Sequence, residues 1–388
     1  MNKKIKVLRI ISTLNPDHGG PAKAIIDNSL AMIKQNISID ILTCDSYSAN
    51  FYKSKYMKII NQGPSFLGSF WFSFNLFFWL FKNKSKYDFF ILHGIWEFKN
   101  LAAYILLDNN YCVYVHGSLH PTQGKGLLNK FKKKLYWSLF EKRNLLKSTS
   151  IILTSHKEKE QLKNTFVNTN GINKINIRYG ILKKNHNKKK LISKFYKKFP
   201  FLKHKTFYLY LGRPHKQKGA DIIIEAFNKI KFNFNTKVLI MGPFTGSKFE
   251  DYLRLLVKKY KLEKQIFFSN AEFGDMKWGA IYSSKAMLLP SHGENFGISL
   301  VESMSAGKPV LTTYKVNIYD VILKYESGLI SKDNTNSFSD ILFKFNSFNN
   351  NKIKKISNNA LRCFEYNFDI TSNNNSLASY IKKEISKL

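Results

Sequence analysis

Cysteine and proline are both scarce in this chain of 388 residues, which contains three cysteines and nine prolines. Cys44, Cys112 and Cys363 lie far apart and form no C-x-x-C pair, which argues against a disulfide framework and against a zinc site. Such isolated thiols suit a reducing compartment such as the cytoplasm. The apolar run at the amino terminus is short and continues into a glycine-rich turn, so we interpret it as a first strand and not as a signal peptide.

Acidic residues are also scarce, because 26 Asp and Glu face 62 Lys and Arg and give a formal net charge of +36. This charge favours a polyanionic partner, although a general bias towards lysine explains it more simply. The sequence contains no helix-turn-helix signature, zinc knuckle or aromatic RNA-recognition motif. We therefore expect no nucleic-acid partner, and we consider peripheral contact with an anionic membrane the better functional explanation.

A hydrophobic run of membrane-spanning length is missing as well. The most apolar stretch, Phe66 to Phe81 (FLGSFWFSFNLFFWLF), is about four residues short of the ~20 that cross a bilayer, and it includes glycine, serine and asparagine. Two interpretations remain open. We slightly favour a buried helix between two strands over an aromatic helix at a membrane interface, flanked by Lys82, Lys84 and Lys86.

Strand-like apolar runs alternate with helix-length segments in two series along the chain. This alternation predicts an α/β protein with two Rossmann-like, doubly wound domains that face each other across a cleft. We predict the first domain at residues 1–182, a lysine-rich connector at 183–205 and the second domain at 206–370. A helix within residues 371–388 is expected to pack back on the first domain.

The loop Gly212-Arg213-Pro214-His215-Lys216-Gln217-Lys218-Gly219 follows a β-rich run and precedes an amphipathic helical pattern. It therefore lies at the carboxyl end of a strand. The guanidinium fork of Arg213 and the point charge of Lys218 suit a diphosphate, although two solvated cations explain this loop alone equally well.

A second motif, SHGENFGISLVESMSAGKPV, carries Glu294 and, eight residues later, Glu302. A buried strand precedes it and a helical pattern follows, so Glu294 lies at a helix entrance, where free backbone N–H groups bind hydroxyls or phosphate oxygens. Glu302 falls about two helical turns further on, where a carboxylate can accept both hydroxyls of a ribose. Taken separately, a helix cap and a surface carboxylate explain the two residues, but they do not explain the whole motif.

Together with the loop Gly19-Gly20-Pro21, these two motifs resemble the large family four of retaining glycosyltransferases, also called group 1, which has the GT-B fold. The E-x7-E motif is the most specific part of the resemblance. The resemblance implies that Arg213 and Lys218 hold the donor diphosphate, that Glu294 contacts the sugar and that Glu302 binds the ribose. It implies further donor contacts from Gly20 and from the backbone amides of Asn295, Phe296 and Gly297.

Two histidines, His93 and His116, end strands of the first domain. The resemblance places a histidine beside the reacting centre at the position of His116, whereas we interpret His93 as structural and keep His120 as a competitor. The chain departs from the family at Tyr179-Gly180, where relatives commonly have Asn-Gly, and this weakens the local match.

The chemistry that the resemblance implies is transfer of a sugar from a nucleotide diphosphate to a hydroxyl with retained anomeric configuration. We expect Arg213, Lys218, Glu294 and His116 to be catalytic, with the two cations in place of a metal because no DxD pair ends a strand. Front-side attack is preferred, since a double displacement needs a carboxylate nucleophile and only Glu294 is available.

No cofactor is expected beyond the nucleotide-sugar substrate. The expected acceptor is a glycan or lipid-linked glycan in bacterial surface-polysaccharide assembly, at the cytoplasmic face of the membrane. Two alternatives remain: a nucleotide-sugar epimerase of the same fold, and a polyanion-binding protein with a degenerate cleft.

Overall fold

The computed structural model of the chain describes residues 4–16, 21–120, 127–233, 235–371 and 377–387. The chain divides into two compact units, one of residues 1–182 and 373–388 and one of residues 183–372. Each unit is built around one sheet of parallel strands connected by helices, as the alternation in the sequence predicts.

The first unit contains, in chain order, β1 (Ile5–Ile10), α1 (Pro21–Ile33), β2 (Ile37–Thr43), β3 (Ile59–Asn61), α2 (Phe74–Asn83), β4 (Phe89–His93), α3 (Phe98–Leu106), β5 (Tyr111–Tyr114), α4 (Leu127–Tyr136), α5 (Lys142–Lys147), β6 (Ser150–Leu153), α6 (His156–Gln161) and β7 (Lys174–Asn176). Among the described residues its sheet has seven strands in the order β3-β2-β1-β4-β5-β6-β7, all parallel. The central strands are almost wholly buried, because helices cover both faces of such a sheet.

The second unit contains α7 (Lys188–Lys198), β8 (Thr206–Leu211), α8 (Ala220–Ile230), β9 (Thr236–Met241), α9 (Lys248–Lys259), β10 (Ile266–Ser269), α10 (Gly274–Ser283), β11 (Met287–Leu289), α11 (Ile298–Ser305), β12 (Val310–Thr313), α12 (Tyr319–Lys324), β13 (Gly328–Ser331), α13 (Thr335–Asn346) and α14 (Asn350–Asn367). Its described strands form a parallel sheet of six in the order β10-β9-β8-β11-β12-β13. The strand order reverses between β8 and β11, which is where open α/β sheets bind ligands.

The last helix, α15 (Leu377–Ile385), packs on the first unit. The Tyr380 hydroxyl lies 2.8 Å from the hydroxyl of Thr149 and 2.7 Å from that of Ser150, at the start of β6. The ring of Tyr380 also meets that of Phe89 edge-on. These contacts attach the carboxyl-terminal helix to the sheet of the first unit.

The segment 183–205, expected as a connector, belongs to the second unit. Within it, α7 packs against α10 so closely that a Cβ at Gly279 would lie 2.6 Å from the Leu191 carbonyl oxygen. Leu191 and Phe195 are buried four residues apart, whereas Lys194 between them and the lysines at both ends of the helix face solvent. The lysine-rich segment therefore contains an amphipathic helix, since residues four apart lie on the same helix face.

The aromatic segment does not form the buried helix that the sequence analysis slightly favours. The helix α2 begins only at Phe74, where the Ser73 hydroxyl accepts the N–H of Leu76 at 3.2 Å. Its buried residues are Leu76 and Leu80, whereas the opposite face is exposed and carries Phe74, Phe78 and Phe81. The many aromatic residues raise the mean hydropathy of the segment, but the helical repeat distributes its apolar side chains between a buried face and an exposed face. Among the described residues, no helix has both the length and the apolar character needed to cross a bilayer.

Candidate donor-binding site

The loop 212–219 connects β8 to α8, as the sequence predicts. Its last residue, Gly219, has φ +72°, and a Cβ there would lie only 2.1 Å from the carbonyl oxygen of Pro290. Pro290 directly follows β11, the neighbour of β8 in the sheet. Glycine is needed at position 219 because it alone permits both this backbone conformation and this close approach. The loops that follow β8 and β11 are thereby brought into contact.

Gln217 holds these two loops together, and the sequence analysis did not single it out. Its side-chain Nε2 donates to the carbonyl oxygen of Gly293 at 2.8 Å. Its own carbonyl oxygen accepts from the backbone N–H of His292 and from the Ser291 hydroxyl, both at 2.8 Å. In the sequence Gln217 is one polar residue among several in a turn, so no local signal distinguishes it.

Lys218 forms an ion pair with Glu294 across the two loops. The sequence analysis assigned these residues separately, one to the diphosphate and the other to the sugar. Burial, followed by the nearby positive charge of Arg213, lowers the pKa of the Lys218 ammonium to about 8. A partly desolvated cation favours an anionic partner, and Glu294 is that partner in this structure.

Arg213 is exposed, and its backbone is fixed by the Tyr210 hydroxyl, which donates to the Arg213 carbonyl oxygen at 2.9 Å. Its positive charge is the second cause, after burial, of the lowered pKa of Lys218. Two positive charges therefore lie near each other at the carboxyl end of β8. A diphosphate carries enough negative charge to engage both, the exposed guanidinium by a bidentate contact and the ammonium by a single one.

Glu294 lies three residues before Gly297, which has φ +70° and is the N-cap of α11. The backbone of Glu294 is held on both sides: its N–H donates to the Lys315 carbonyl oxygen at 3.0 Å, and its carbonyl oxygen accepts the N–H of Asn317 at 2.9 Å. The Asn317 side chain donates to Asn295 Oδ1 at 3.1 Å. The segment after β12 thus fixes this turn at the amino end of α11, where helix geometry favours oxygen ligands.

Phe296 and Gly297 complete the turn. Phe296 is buried, and its ring meets that of Phe368 edge-on with centroids 5.7 Å apart. Burial of this aromatic ring fixes the turn to the core of the second unit, so the backbone of the predicted donor residues around it is held in place.

Glu302 lies within α11 and its side chain is only 7% exposed. Its Oε1 is 2.5 Å from the Lys277 ammonium, which comes from the first turn of α10. The sequence analysis missed Lys277, because a lysine 25 positions before its partner carries no local pattern. This ion pair orients the carboxylate that the sequence assigns to a ribose.

The remaining predicted residues belong to the first unit. Gly20 lies outside the described residues. His116 follows β5 with φ 47° and is half-buried, and its Nε2 lies 3.1 Å from Nδ1 of His93. Tyr179, the residue that departs from the family pattern, is buried, and its ring lies nearly perpendicular to that of His116 with centroids 5.7 Å apart.

The segment that contains the donor loops matches a known protein family. The profile of the family described as Glycosyl transferases group 1 matches residues 192–361, which include both donor loops. The solved structure of Anabaena Alr3699/HepE in complex with UDP and glucose aligns with 99% of this chain and 98% of its own, with a TM-score of 0.73 at 15% identity. The fold is therefore GT-B.

Sequence relatives agree with this class. The uncharacterized glycosyltransferase MJ1178 of Methanocaldococcus jannaschii is 26% identical over 344 residues, which cover 85% of each chain. The lipopolysaccharide 1,2-N-acetylglucosaminetransferase of Salmonella typhimurium is 26% identical over 129 residues, 32% of this chain and 34% of its own. Residues 192–361, most of the second unit, thus match the group 1 family of glycosyltransferases.

Proposed function

We propose that the chain transfers a sugar from a nucleotide diphosphate to a hydroxyl of a glycan or lipid-linked glycan, with retention of anomeric configuration. The proposed setting is bacterial surface-polysaccharide assembly, which includes lipopolysaccharide, O-antigen, capsule and exopolysaccharide. Support for this setting comes from the Salmonella relative, whose name specifies a lipopolysaccharide transferase. The Anabaena structure, which contains UDP and glucose, supports a nucleotide-sugar donor.

The observation that carries the proposal is the pairing of Lys218 with Glu294 next to Arg213 and the amino end of α11. A leaving diphosphate gains negative charge as its bond to the sugar breaks. Cations and backbone N–H groups that are already oriented stabilise that charge without reorganising, which is usually the largest catalytic contribution. A donor phosphate that engages Lys218 would free Glu294 to accept sugar hydroxyls.

The proposed step is a front-side displacement. The bond between C1 and the phosphate oxygen breaks, the acceptor oxygen bonds to C1 on the same face, and the acceptor proton passes to the leaving phosphate oxygen. Arg213 and Lys218 supply the positive charge that a metal ion supplies in other transferases. We therefore propose that no metal is required, so chelation with EDTA should leave the rate unchanged.

The test of this function is a donor screen. UDP, GDP, ADP and their sugars are added to the purified protein, and the matching nucleotide should raise the melting temperature, since ligand at a hundred times its Kd adds about 2.7 kcal/mol. With the matching donor, nucleotide release should require an acceptor, and NMR of the product should show the donor's anomeric configuration. Release without acceptor together with an epimerised sugar would identify an epimerase, and an inverted product would exclude retention.

We further propose that the enzyme docks peripherally on the inner face of the cell membrane through its first unit. The exposed face of α2 carries Phe74, Phe78 and Phe81, each between 56% and 62% exposed. The helix α4 exposes Phe131 and Leu135 in the same way. Phe70, in the segment before α2, meets the ring of Tyr136, at the end of α4, edge-on with centroids 5.9 Å apart.

Lysines accompany these apolar side chains. Lys130, Lys132 and Lys134 of α4 are exposed, whereas Lys133 lies over the Trp96 ring at 5.2 Å and its pKa is lowered by burial. Each exposed lysine near an anionic surface contributes about 1 kcal/mol to binding. Exposed aromatic rings together with a few lysines are the two signals that reversible membrane association requires.

Purified protein should co-sediment with vesicles that contain phosphatidylglycerol and not with vesicles of phosphatidylcholine alone. Added salt should release it, since the attraction between surface charges is screened. Reversing Lys130, Lys132 and Lys134 to Glu should weaken sedimentation strongly and leave nucleotide binding intact. Lys133 is left unchanged because it packs on Trp96.

The matched control reverses Lys248, Lys258 and Lys264, three exposed lysines of the second unit, and changes the net charge equally. This control should sediment like the original protein. If the unmodified protein ignores anionic vesicles at low salt, or if both triple variants lose binding equally, the lysines are compositional and a soluble acceptor becomes the better proposal.

A further inference from the structure

His93 and His116 contact each other at the carboxyl ends of β4 and β5. Nδ1 of His93 lies 3.1 Å from Nε2 of His116, and the planes of the two rings are inclined by only 18°. The ring centroids are 5.3 Å apart, about the N···N distance plus the two ring radii. The contact is therefore an in-plane hydrogen bond between ring nitrogens and not a stack of one ring over the other.

Two buried cations, Arg9 and Lys99, lie near this pair of histidines. Arg9 of β1 is fully buried and pairs in register with Ile91, so its side chain lies on the same face of the sheet as that of His93. Lys99 of α3 is also fully buried, and it forms an ion pair with Glu97. Their positive charges oppose a further charge on either imidazole.

Both imidazoles are consequently neutral at physiological pH. Burial, assisted by Lys99 and Arg9, lowers the pKa of His116 to about 3. Burial and Arg9 lower the pKa of His93 well below its usual value. A hydrogen bond between two neutral imidazoles needs one donor and one acceptor, so two arrangements of the protons exist.

The other nitrogen of His93 decides between them. His93 is only 2% exposed, and its Nε2 has no hydrogen-bond partner among the residues that the structure describes. If Nδ1 donates to His116, Nε2 carries a lone pair in the positive field of Arg9. If Nδ1 accepts, Nε2 carries a buried N–H without an acceptor in that same field, and orphaned N–H groups are the rarer and costlier case.

We propose that His93 is a positioning residue that donates from Nδ1 to Nε2 of His116 and so fixes His116 in the tautomer with its proton on Nδ1. This inference rests on the proposed transfer reaction for its consequence but not for its geometry. His116 then presents a neutral N–H donor, which can bind a sugar or phosphate oxygen and cannot act as a general base through Nε2. Its Nδ1 has no partner among the described residues, which leaves this donor available to a ligand.

The tautomer is measured directly by long-range ¹H–¹⁵N NMR on protein labelled with ¹⁵N-histidine, with the His116 signals assigned by their loss in His116→Asn. The expected pattern is a neutral ring protonated on Nδ1 at pH 7. A ring protonated on Nε2, or on both nitrogens, would overturn the proposal. Because this measurement uses no substrate, it stands even if the proposed transfer activity is not found.

Two substitutions test the consequence for catalysis. His93→Phe fills the ring volume without a donor, whereas His93→Asn places an amide N–H near the position of Nδ1. We expect His93→Phe to lower kcat on the order of tenfold and to leave the KM for the sugar donor unchanged. This effect is smaller than that of removing a whole preorganised hydrogen-bond donor, because His116 itself is retained. His93→Asn should recover most of that loss and keep the Nδ1–H pattern of His116.

Equal kcat values for the original protein and His93→Phe would contradict the positioning role. So would equal losses in the Phe and Asn variants when both have the original melting temperature, since a lost donor would then not be the cause. If His93→Phe does not fold, the spectrum of the unmodified protein decides alone.

Discussion

Arg213→Ala and Lys218→Ala are each expected to lower kcat on the order of a hundredfold or more, as the loss of one preorganised donor does. The two cations lie together at the carboxyl end of β8, where the charge of Arg213 acts on Lys218. Removing either one leaves the departing diphosphate with less positive charge in a partly desolvated site. Steady-state kinetics at saturating donor and acceptor measure the effect.

The matched control is Lys216→Ala, which removes an exposed lysine from the same loop. It should retain near-normal kcat, because a solvated surface charge contributes little. All three variants should keep the original melting temperature within a few degrees. Near-normal turnover in both Arg213→Ala and Lys218→Ala would show that these cations do not hold the leaving group.

Glu302→Gln and Glu294→Gln are expected to fail in different ways. Glu302 is buried in α11 and oriented by Lys277, so its loss should weaken the binding of free nucleotide by about 1.5–3 kcal/mol, roughly a 10- to 150-fold rise in Kd. Glu294 lies at the entrance of α11 and is assigned to the sugar, so Glu294→Gln should spare free nucleotide and lower kcat with the sugar donor. Calorimetric titration with nucleotide, combined with kinetics, separates the two effects.

Glu263→Gln is the control for this pair, since Glu263 is an exposed glutamate of the same unit and should change neither quantity. An equal loss of free-nucleotide affinity in Glu302→Gln and Glu294→Gln would contradict the division of roles. Unchanged nucleotide affinity in Glu302→Gln would remove the ribose assignment.

The donor loops were predictable because their signals are local. The apolar run before Gly212 and the amphipathic pattern after Gly219 predict β8 and α8, and the structure confirms both. Two edge strands, β3 and β13, were not predicted, since each has only three or four residues and depends on pairing with a neighbouring strand. A run this short has too little pattern to be recognised without its partner.

The face that a helix buries was predictable only in part. In α7 the lysines concealed Leu191 and Phe195, and in α2 the number of aromatic residues suggested burial on all sides. Composition averages over a whole segment, whereas packing depends on which side chains share one face. Which side chains share a face therefore depends on where the helix lies in the segment. The helix α2 begins at Phe74 and does not include the whole apolar stretch.

The sequence by itself determined the two alternating series of strands and helices, the loops at the strand ends and the positions of Arg213, Lys218, Glu294 and Glu302. Tertiary structure alone decided which of these charges meet. Lys218 pairs with Glu294 over 76 positions, Glu302 with Lys277 over 25, and His93 with His116 over 23. Strand and turn propensities act over a few neighbouring residues, but these contacts arise only when parallel strands bring distant loops and the helices that follow them together at one edge of a sheet.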